Sequence, residues 1–479
     1  MTVFPEGGDL PVIYEPICLE PSSDMPMYRQ LYDSVRHAIG SGGLRVGDRL
    51  PSIRKLSEEL GVSRTTVEQA YQQLCVEGYI ASRPQSGYYV EAVVTDAPPE
   101  PFLPSADSPA VRERPIRYDF GSRYVETRRG DMELWRKYVR AVLSREDIVS
   151  SYGHFQGEPA LRTQLAAYGL RLRGVNATPD RIVVGAGVQP LLSLLCGLLG
   201  EDAGRVGIES PCFPQAERVF RDFRLDILPL GHDRYGVTAG ELYDSGIHVL
   251  YLNPANTESM GRPMPIRRRA ALLQWAETTG GLIVEDDYNG ALRFQSRPVP
   301  AMQSMPGGER VIYLGSFSKL LMPSVRLSYM VLPPDLALRY AERGASYNQT
   351  SSKIEQLALA DYLRDGHIEK RLRRLRKTYA DKSARLTELL SGALGHTADI
   401  SLAETALCVD VRVACGMTSR ELAEAALAEG VRVMPMPDED RRAHVRLSFA
   451  GIAAEDMPGG VEMLRRIITN DDKDQQGGL

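Results

Sequence analysis

The 479 residues are 43% hydrophobic and 25% charged, ordinary values for folded domains, and the length exceeds what one hydrophobic core normally supports. The formal net charge of −5 excludes a bulk polycation, so any nucleic-acid binding has to come from a local surface. Six cysteines without a C-x-x-C pair and seven histidines without an H-E-x-x-H motif exclude a disulfide framework and the common zinc signatures. We therefore expect at least two domains, no metal site and a reducing compartment.

The chain carries no targeting or membrane signal that we can identify. Its first residues, MTVFPEGGDL, lack a basic region followed by an apolar run. The longest apolar stretch, PLLSLLCGLL at 190–199, is too short to span a bilayer. The sequence therefore predicts a cytoplasmic protein without a membrane partner.

A proline-rich segment divides the chain. Residues 91–116 hold six prolines among Ala, Ser, Asp and Glu, and proline restricts its neighbours, which is typical of an extended linker. The C-terminal sequence NDDKDQQGGL is polar and typical of a frayed tail. The predicted organisation is an extension over 1–23, a small domain over 24–92, a linker over 93–116, a large domain over 117–467 and a disordered tail over 468–479.

The small domain shows three helical patterns. Gly61 can take the left-handed conformation that ends a helix, Ser63 is a good N-cap for the next one, and Gly78 ends that helix in turn. The residues predicted to face inward, from their helical spacing, are Leu31, Val35, Ile39, Ile53, Leu56, Leu60, Val67, Ala70, Tyr71 and Leu74.

Two of these helices, joined by a short turn with glycine, predict a helix-turn-helix. The exposed side of its second helix carries polar side chains that can hydrogen-bond base edges or phosphates in a major groove. The segment YIASRPQSGYYV at 79–90 predicts a two-stranded wing, with Arg83 at its tip and Gly87 allowing a tight return. A protein-interaction module is the alternative, and eight Lys/Arg against seven Asp/Glu over residues 24–90 do not decide between them.

The stretch GDRLPSIRKLSEELGVSRTTVEQAYQQLCVEGYIASRPQSGYYV closely resembles the winged helix-turn-helix of GntR-type bacterial regulators over nearly its whole length. This resemblance implies that the small domain binds double-stranded promoter DNA. The candidate DNA contacts, with the wing-tip arginine included, are Ser52, Arg54, Ser63, Arg64, Thr65, Thr66, Arg83 and Gly87.

The large domain alternates strands and helices, which predicts an α/β fold with a mainly parallel sheet. The predicted strands are 181–184, 205–209, 248–252, 281–285 and 311–314. Polar and glycine-rich motifs follow several of them immediately. Because open α/β sheets bind ligands outside the carboxyl ends of their strands, we expect these motifs to converge on one crevice.

Three of these motifs have both a chemical and a plain interpretation. GAGVQ at 185–189 leads into a helix and offers backbone N–H groups to a phosphate, although glycines also simply make turns. The acidic DDYNG at 286–290 can cap a helix, bind a metal or meet a protonated ring nitrogen. In YLGSFSKLLMPSVRLSY at 313–329, serines and an arginine can hold a phosphate beside a lysine that burial makes reactive, although serines also form turns.

Pyridoxal 5'-phosphate needs this combination: phosphate anchors, an amine that forms an aldimine, and a carboxylate that keeps the ring nitrogen protonated. From about 117 to 467 the chain resembles fold-type-I aminotransferases, most closely in SFSKLLMPSVR. That resemblance implies that Lys319 forms the internal aldimine, that Asp286 meets the pyridinium and that Tyr288 meets the phenolic oxygen. It assigns the phosphate site and the ring-stacking aromatic residue to Gly187, Val188, Gln189, Ser316, Ser318, Arg326 and Phe213.

Other parts of the same resemblance concern the ligand and the oligomer. HVRLSFAG at 444–451 matches the family's arginine motif, which implies that Arg446 binds the α-carboxylate of an amino acid. YGHFQGEPALR at 152–162 implies that Tyr152 reaches the phosphate of a neighbouring subunit in a dimer. NPANTESMGRP at 253–263 departs from the family's Asn-Pro-Thr-Gly, so Asn256 is the candidate contact to the phenolic oxygen and efficient transamination is less expected.

Two groups of cations keep alternative interpretations. Arg123 and Arg128, with the adjacent Arg129, can bind a second acidic group of an effector or can be ordinary surface residues. The run EKRLRRLRKTYADK at 369–382 can contact DNA, but its pattern favours a helix with Leu372 and Leu375 inward and a solvated basic face.

The order of parts resembles the MocR/GabR regulators over essentially the whole chain. This resemblance implies a bacterial transcription regulator, nucleoid-associated when bound, that senses an amino acid or amine by aldimine exchange at Lys319. It also implies a head-to-tail homodimer. A working aminotransferase with an accessory DNA-binding or tethering domain is the alternative, and a cofactor-free scaffold, which would show no aldimine absorbance, is a third.

Overall fold

The computed structural model describes residues 17, 19–23, 25–91, 115–210, 213–233, 235–257, 263–295, 299–344, 346–403, 407–438 and 441–476, and the chain divides into two compact units, Met1–Arg112 and Glu113–Leu479. Most of the expected extension and linker lies outside the described residues. Within these ranges no helix is long and apolar enough to cross a membrane. The same ranges contain no cluster of side chains that could hold a metal ion.

The small unit is a three-helix domain with a two-stranded antiparallel wing. Its elements are α1 (Met27–Gly40), α2 (Ile53–Leu60), α3 (Arg64–Val76), β1 (Ile80–Arg83) and β2 (Gly87–Val90). Eight of the ten residues predicted to face inward are buried, while Ile53 and Leu60 are half-buried at its edge. Gly61 adopts the left-handed conformation with φ +65°, and the Ser63 hydroxyl accepts a hydrogen bond from the Thr66 N–H, so both helix-boundary predictions are confirmed.

The centre of the large unit is a seven-stranded sheet. Its strands are β4 (Ile182–Gly185), β5 (Arg205–Glu209), β6 (Asp226–Leu230), β9 (Ile247–Leu252), β10 (Leu282–Asp287), β11 (Val311–Ser316) and β12 (Ser328–Val331), in the order β4-β12-β11-β10-β9-β5-β6. Strand β12 is antiparallel to both of its neighbours, and the other pairs are parallel. The mainly parallel α/β prediction is therefore confirmed, although β10 and β11 extend further than predicted and include Asp286 and Ser316.

A four-stranded antiparallel sheet, in the order β13-β14-β17-β16, forms the C-terminal part. Its strands are β13 (Ala398–Ala403), β14 (Cys408–Val413), β16 (Met434–Pro435) and β17 (Ala443–Ser448). The short pairs β3 (Tyr118–Asp119) with β15 (Val431–Arg432), and β7 (His232–Asp233) with β8 (Gly236–Val237), complete the described strands.

Helices cover the sheets and bury them. In chain order they are α4 (Arg129–Leu143), α5 (Glu146–Val149), α6 (Pro159–Arg173), α7 (Val188–Leu199), α8 (Pro214–Asp222), α9 (Ile266–Thr279), α10 (Pro334–Gly344), α11 (Lys353–Arg364), α12 (His367–Leu394), α13 (Ser419–Ala428) and α14 (Met457–Gln476). The main strands read as continuous apolar runs because helices pack on both faces of this sheet. The backbone of α14 is helical to Gln476, where a disordered tail from 468 was expected; residues 461–476 contain no proline or glycine that would end the helix earlier.

The basic run at 369–382 lies in α12, and the predicted solvated basic face is contradicted at two of its cations. Leu372 and Leu375 are buried as predicted, but Arg371 is only 1% exposed and Lys382 only 7%. Arg371 donates to the backbone carbonyls of Leu320 and Leu321 at 2.6 and 2.7 Å and also pairs with Asp131. These cations are buried because carbonyl and carboxylate oxygens from distant segments satisfy them.

Replacement of Arg371 by methionine should destabilise the large unit by about 3–5 kcal/mol, because it leaves Asp131 without a buried cation partner. Asp131 also pairs with the half-exposed Arg374, which places the expected loss at the lower end of that range. Urea unfolding monitored by tryptophan fluorescence measures the loss. Arg373, two positions further and exposed on the same helix, supplies the control, since Arg373→Met should change stability by less than about 0.5 kcal/mol.

Candidate functional site

The carboxyl ends of neighbouring strands bring the predicted motifs into one row. Gly185 at the end of β4 pairs with Ser328 of β12, and Ser328 pairs with Ser316 at the end of β11. The parallel register of β10 with β11 then sets Asp286 opposite Leu314, two residues before Ser316. The glycine motif, the acidic motif and the lysine motif therefore meet at one edge of the sheet.

Three serine hydroxyls lie together after β11. Ser316 Oγ donates to Ser318 Oγ at 3.2 Å and accepts a hydrogen bond from Ser328 Oγ at 3.1 Å. The backbone N–H of Ser318 also donates to Ser316 Oγ, which fixes the tight turn before Lys319. Ser328 is a member of this cluster that the sequence motif did not identify.

The glycine motif and Arg326 meet beside these serines. Arg326 has a left-handed backbone with φ +52°, and its Nη2 donates to the Ala186 carbonyl at 3.2 Å. Gly187 has φ +106°, and a Cβ at this position would overlap the Arg326 guanidinium. Val188 and the exposed Gln189 begin α7 directly after it, so helix N–H groups, an arginine and serines lie at the same edge of the sheet. Such a set of donors is suited to an anion.

The Lys319 amine lies at the same edge. Its Nζ donates to the backbone carbonyl of Ser122 at 2.5 Å. Burial lowers the pKa of Lys319, which increases the fraction of neutral, nucleophilic amine at a given pH. The adjacent Arg123 is exposed, whereas Arg128 lies against Glu126 and Thr378, at 3.9 and 3.3 Å.

Two polar pairs lie at the ends of β9 and β10. The Tyr251 hydroxyl donates to Asp286 Oδ2, and Asp286 is 3% exposed. Asn256 Nδ2 donates to the Tyr288 hydroxyl at 3.0 Å. The side chain of Asn253 accepts from the Asn256 N–H at 3.0 Å and so orients the segment whose register the sequence left open. Residues 258–262 of that segment are outside the described ranges.

The next carboxylate, Asp287, points into the protein and has a structural environment. It accepts from Arg173 Nε at 2.5 Å and from the Tyr313 hydroxyl at 2.7 Å. Together these groups enclose a small cavity of about 20 Å³ behind Ser316. The two aspartates of the motif therefore have different surroundings, and Asp286 is the one whose partner lies on the neighbouring strand β9.

Glu285, one residue earlier, is fully buried and accepts the backbone N–H groups of Met302 and Gln303. Burial, together with the charge of Asp287, raises the pKa of Glu285 to about 7. Between about 4.3 and 7 the unfolded chain has released this proton while the folded chain keeps it, so this group lowers stability as the pH rises through that range.

The change in the free energy of unfolding caused by Glu285→Gln should therefore be more favourable at pH 7.5 than at pH 5. The difference between the two pH values should be on the order of 3 kcal/mol. Urea unfolding of both proteins at the two pH values measures it. An equal effect of the substitution at both pH values would mean that Glu285 is ionised in the folded protein throughout.

Arg446 lies on β17 directly opposite Asp410 of β14. Its Nε and Nη2 donate to the two carboxylate oxygens at 2.7 and 3.2 Å, and both residues are buried. Burial acts to raise the pKa of Asp410, but hydrogen bonds from His444 and Arg446 outweigh it and lower this pKa to about 2. The arginine predicted to bind a carboxylate is thus already next to one, which the sequence did not indicate.

Two other predicted site residues are exposed. Tyr152 is 99% exposed, an unusual environment for an aromatic side chain in a monomer. Phe213 is 36% exposed at the N-cap position of α8.

The small unit displays the predicted DNA contacts at its surface. Ser52 and Ser63 cap α2 and α3 and are exposed, and Arg64 and Thr65 are exposed at the start of α3. On the helices, the Thr66 hydroxyl hydrogen-bonds the Ser63 hydroxyl at 2.8 Å, and Arg54 pairs with Glu58 at 3.0 Å. On the wing, the Arg83 guanidinium lies 4.5 Å from the centre of the Tyr89 ring, and Gly87 has φ +110°.

Family comparisons agree with this two-part architecture. Residues 27–90 match the bacterial regulatory proteins of the gntR family, and residues 130–464 match the class I and II aminotransferases. Among solved structures, an archaeal alanine:glyoxylate aminotransferase shares 22% identity with a TM-score of 0.66, covering 74% of this chain and 91% of that one. The α-aminoadipate aminotransferase LysN of Thermus thermophilus shares 23% identity with a TM-score of 0.64, covering 75% and 93%. The large unit thus has the aminotransferase fold.

Full-length relatives share both parts. An uncharacterized HTH-type transcriptional regulator of Bacillus subtilis, YhdI, is 34% identical over 93% of this chain and 97% of its own length. The probable rhizopine catabolism regulatory protein MocR of Rhizobium meliloti is 31% identical over 94% and 95%, and the pyridoxine biosynthesis regulator PdxR of Corynebacterium glutamicum is 30% identical over 80% and 82%. The chain belongs to the MocR/GabR family, in which a GntR-type winged helix-turn-helix is fused to an aminotransferase-like domain.

Proposed function

We propose that this chain is a DNA-binding transcriptional regulator whose large unit holds pyridoxal 5'-phosphate and senses an amino compound. The observation that carries the proposal is the position of Lys319: a half-buried amine of lowered pKa lies at the edge where the serine cluster, Arg326 and Asp286 also meet. A surface lysine in a turn would need none of these neighbours.

The residues present suit this cofactor. The serine cluster, Arg326 and the α7 N-terminus would hold its phosphate, and the missing Cβ of Gly187 keeps the anion site open beside the guanidinium. Asp286 would meet the ring nitrogen, and Tyr288 with Asn256 would meet the phenolic oxygen. When bound, the cofactor supplies an aldehyde that reacts reversibly with primary amines.

The residues of the chain would then recognise the amino compound. Lys319, with its lowered pKa, is the amine that an incoming amine replaces, and Arg446 binds the carboxylate of that compound. A ligand changes DNA binding only if it favours one arrangement of the protein over another, so these contacts have to differ between the two arrangements. The effector surface would include Arg123, which adjoins the Ser122 carbonyl bonded to Lys319, while the contacts of Arg128 favour a structural role.

A homodimer fits the exposure of Tyr152, which would reach the phosphate site of a second subunit, and two winged domains would then meet two half-sites on promoter DNA. Such a protein acts in the bacterial cytoplasm, at the nucleoid when bound. Genome context supplies the test fragment: the DNA between this gene and a divergently transcribed neighbour.

Footprinting of that fragment tests the DNA-binding part of the proposal. The full chain should protect a two-half-site region, and Arg64→Ala should weaken binding by about 1–3 kcal/mol. Arg29→Ala on α1 is the matched control, because Arg29 is an exposed arginine paired only with Asp33 among the ion pairs of the described residues. Equal loss in both variants would show that the surface charge, rather than the α3 N-terminus, determines binding.

A working aminotransferase is the second candidate, because the Tyr288–Asn256 pair and Arg446 would serve an enzyme as well as a sensor. Incubation of the loaded chain with amino donors and a keto acid distinguishes the two. The regulator predicts at most partial, slow conversion together with a change in promoter protection. Steady turnover without any specific footprint would support the enzyme instead.

A further inference from the structure

The Asp410–Arg446 pair presents two opposite charges on the same side of the C-terminal sheet. Directly opposed residues of antiparallel strands project from the same face, and so do alternate residues of one strand. Asp410 therefore shares its face with Cys408 and Arg446. Cys408 pairs with Ser448 at the end of β17, whose N–H donates to the Phe120 carbonyl at 2.7 Å. Two residues later the Ser122 carbonyl accepts from Lys319 Nζ at 2.5 Å, so this end of the sheet lies next to Lys319. The Cys408 thiol is also within electrostatic range of Lys319.

These surroundings leave Asp410 and Arg446 as a charged pair rather than as a single cation. Burial raises the pKa of the Cys408 thiol to about 12, so the thiol adds no charge at neutral pH. His444 Nε2 lies 3.5 Å from Asp410 Oδ1. Along the paired strands, His444 and Cys408 lie on opposite sides of the Asp410–Arg446 pair. A simple amino acid whose amine takes the place of the Lys319 amine would bring only a carboxylate here, next to the like charge of Asp410.

We propose, on the basis of the function proposed above, that the pair recognises an effector with an ammonium beside its carboxylate: a diamino monocarboxylic acid. Its carboxylate binds Arg446 and the neighbouring ammonium binds Asp410, while the amine at the other end of the molecule is presented to Lys319. A carboxylate has about four lone-pair directions, so Asp410 can hold Arg446 and His444 and still accept an ammonium. This would make Asp410 a specificity-determining residue.

Matched ligand pairs test this proposal on the full chain loaded with pyridoxal phosphate. The pairs are diaminobutyrate with γ-aminobutyrate, ornithine with δ-aminovalerate, and lysine with ε-aminocaproate, which differ only by the ammonium beside the carboxylate. Titration calorimetry and thermal melting measure binding. In at least one pair the diamino acid should bind about tenfold tighter or more. Asp410→Asn should reduce that preference to less than about threefold.

Asp399→Asn is the control, because Asp399 is an exposed aspartate on β13 of the same sheet, and it should keep the preference. The proposal is overturned if the single-amine ligand of every pair binds as well as its diamino partner. It is also overturned if Asp410→Asn weakens both members of a pair equally, which would mean that Asp410 only positions Arg446. Failure of the proposed function is recognised separately, because borohydride trapping of the cofactor is measured first. If the proposed function is wrong, that experiment leaves Lys319 unmodified.

Discussion

Lys319→Ala should still bind promoter DNA but should no longer respond to amines. In the unmodified chain, the effector should change the apparent DNA affinity by roughly 5- to 150-fold, the usual range of allosteric coupling, and in the variant by less than about twofold. The physical reason is that Lys319 is the amine of lowered pKa at the strand ends, and its replacement removes the group that the effector displaces. Fluorescence anisotropy on a labelled promoter fragment, with and without the amine, measures the change.

A control for this result is Lys377→Ala, which removes an exposed lysine of α12 and should leave the response unchanged. Thermal melting confirms that both variants are folded. If Lys319→Ala kept the full response to the amine, the effector would act without any contribution from the lysine, and the sensing mechanism proposed above would be wrong.

Arg446→Gln should have the second large effect, on ligand binding and on stability together. Removal of one partner of a buried charge pair costs about 3–5 kcal/mol of folding free energy, because Asp410 is left buried and unpaired. Loss of the carboxylate contact should weaken binding of a carboxylate-bearing effector by about 2–5 kcal/mol. Calorimetric titration and urea unfolding measure the two effects separately.

The double variant Arg446→Gln/Asp410→Asn separates stability from recognition. Replacement of both charges removes the unpaired carboxylate, so stability should recover to within about 1–2 kcal/mol of the unmodified chain. Binding of carboxylate-bearing ligands should stay weak, because the double variant still lacks the Arg446 guanidinium. If the double variant recovered binding as well as stability, Arg446 would not be the carboxylate contact.

Local patterns predicted much of this molecule. Helix spacing and caps identified the winged domain, because Gly61, Ser63 and the stripe from Val67 to Leu74 each follow from local geometry. Apolar strands followed by polar motifs identified the main sheet and the edge where its motifs meet, since parallel strands end at a common edge. The family resemblance then assigned roles to Lys319 and Asp286.

Contacts between distant segments could not be predicted in this way. Asp410 faces Arg446 only because β14 and β17 pair in one antiparallel register, and a shift by one residue would place the side chains on opposite faces. Arg371 lies in a run of charges that is typical of a solvated helix, and its burial depends on carbonyls about 50 residues earlier and on Asp131. Tyr251 was hidden in an apolar strand, where only its hydroxyl distinguishes it from its neighbours.

The central claim is that Lys319 is the residue covalently joined to pyridoxal phosphate. Borohydride reduction of the loaded chain, followed by tryptic digestion and mass spectrometry, tests it most directly. Modification of Lys319 blocks cleavage there, so the account predicts an intact peptide over residues 311–326 that carries the added mass of the reduced cofactor. Unmodified peptides over 311–319 and 320–326 from fully saturated protein, or the added mass on a different lysine, would contradict it.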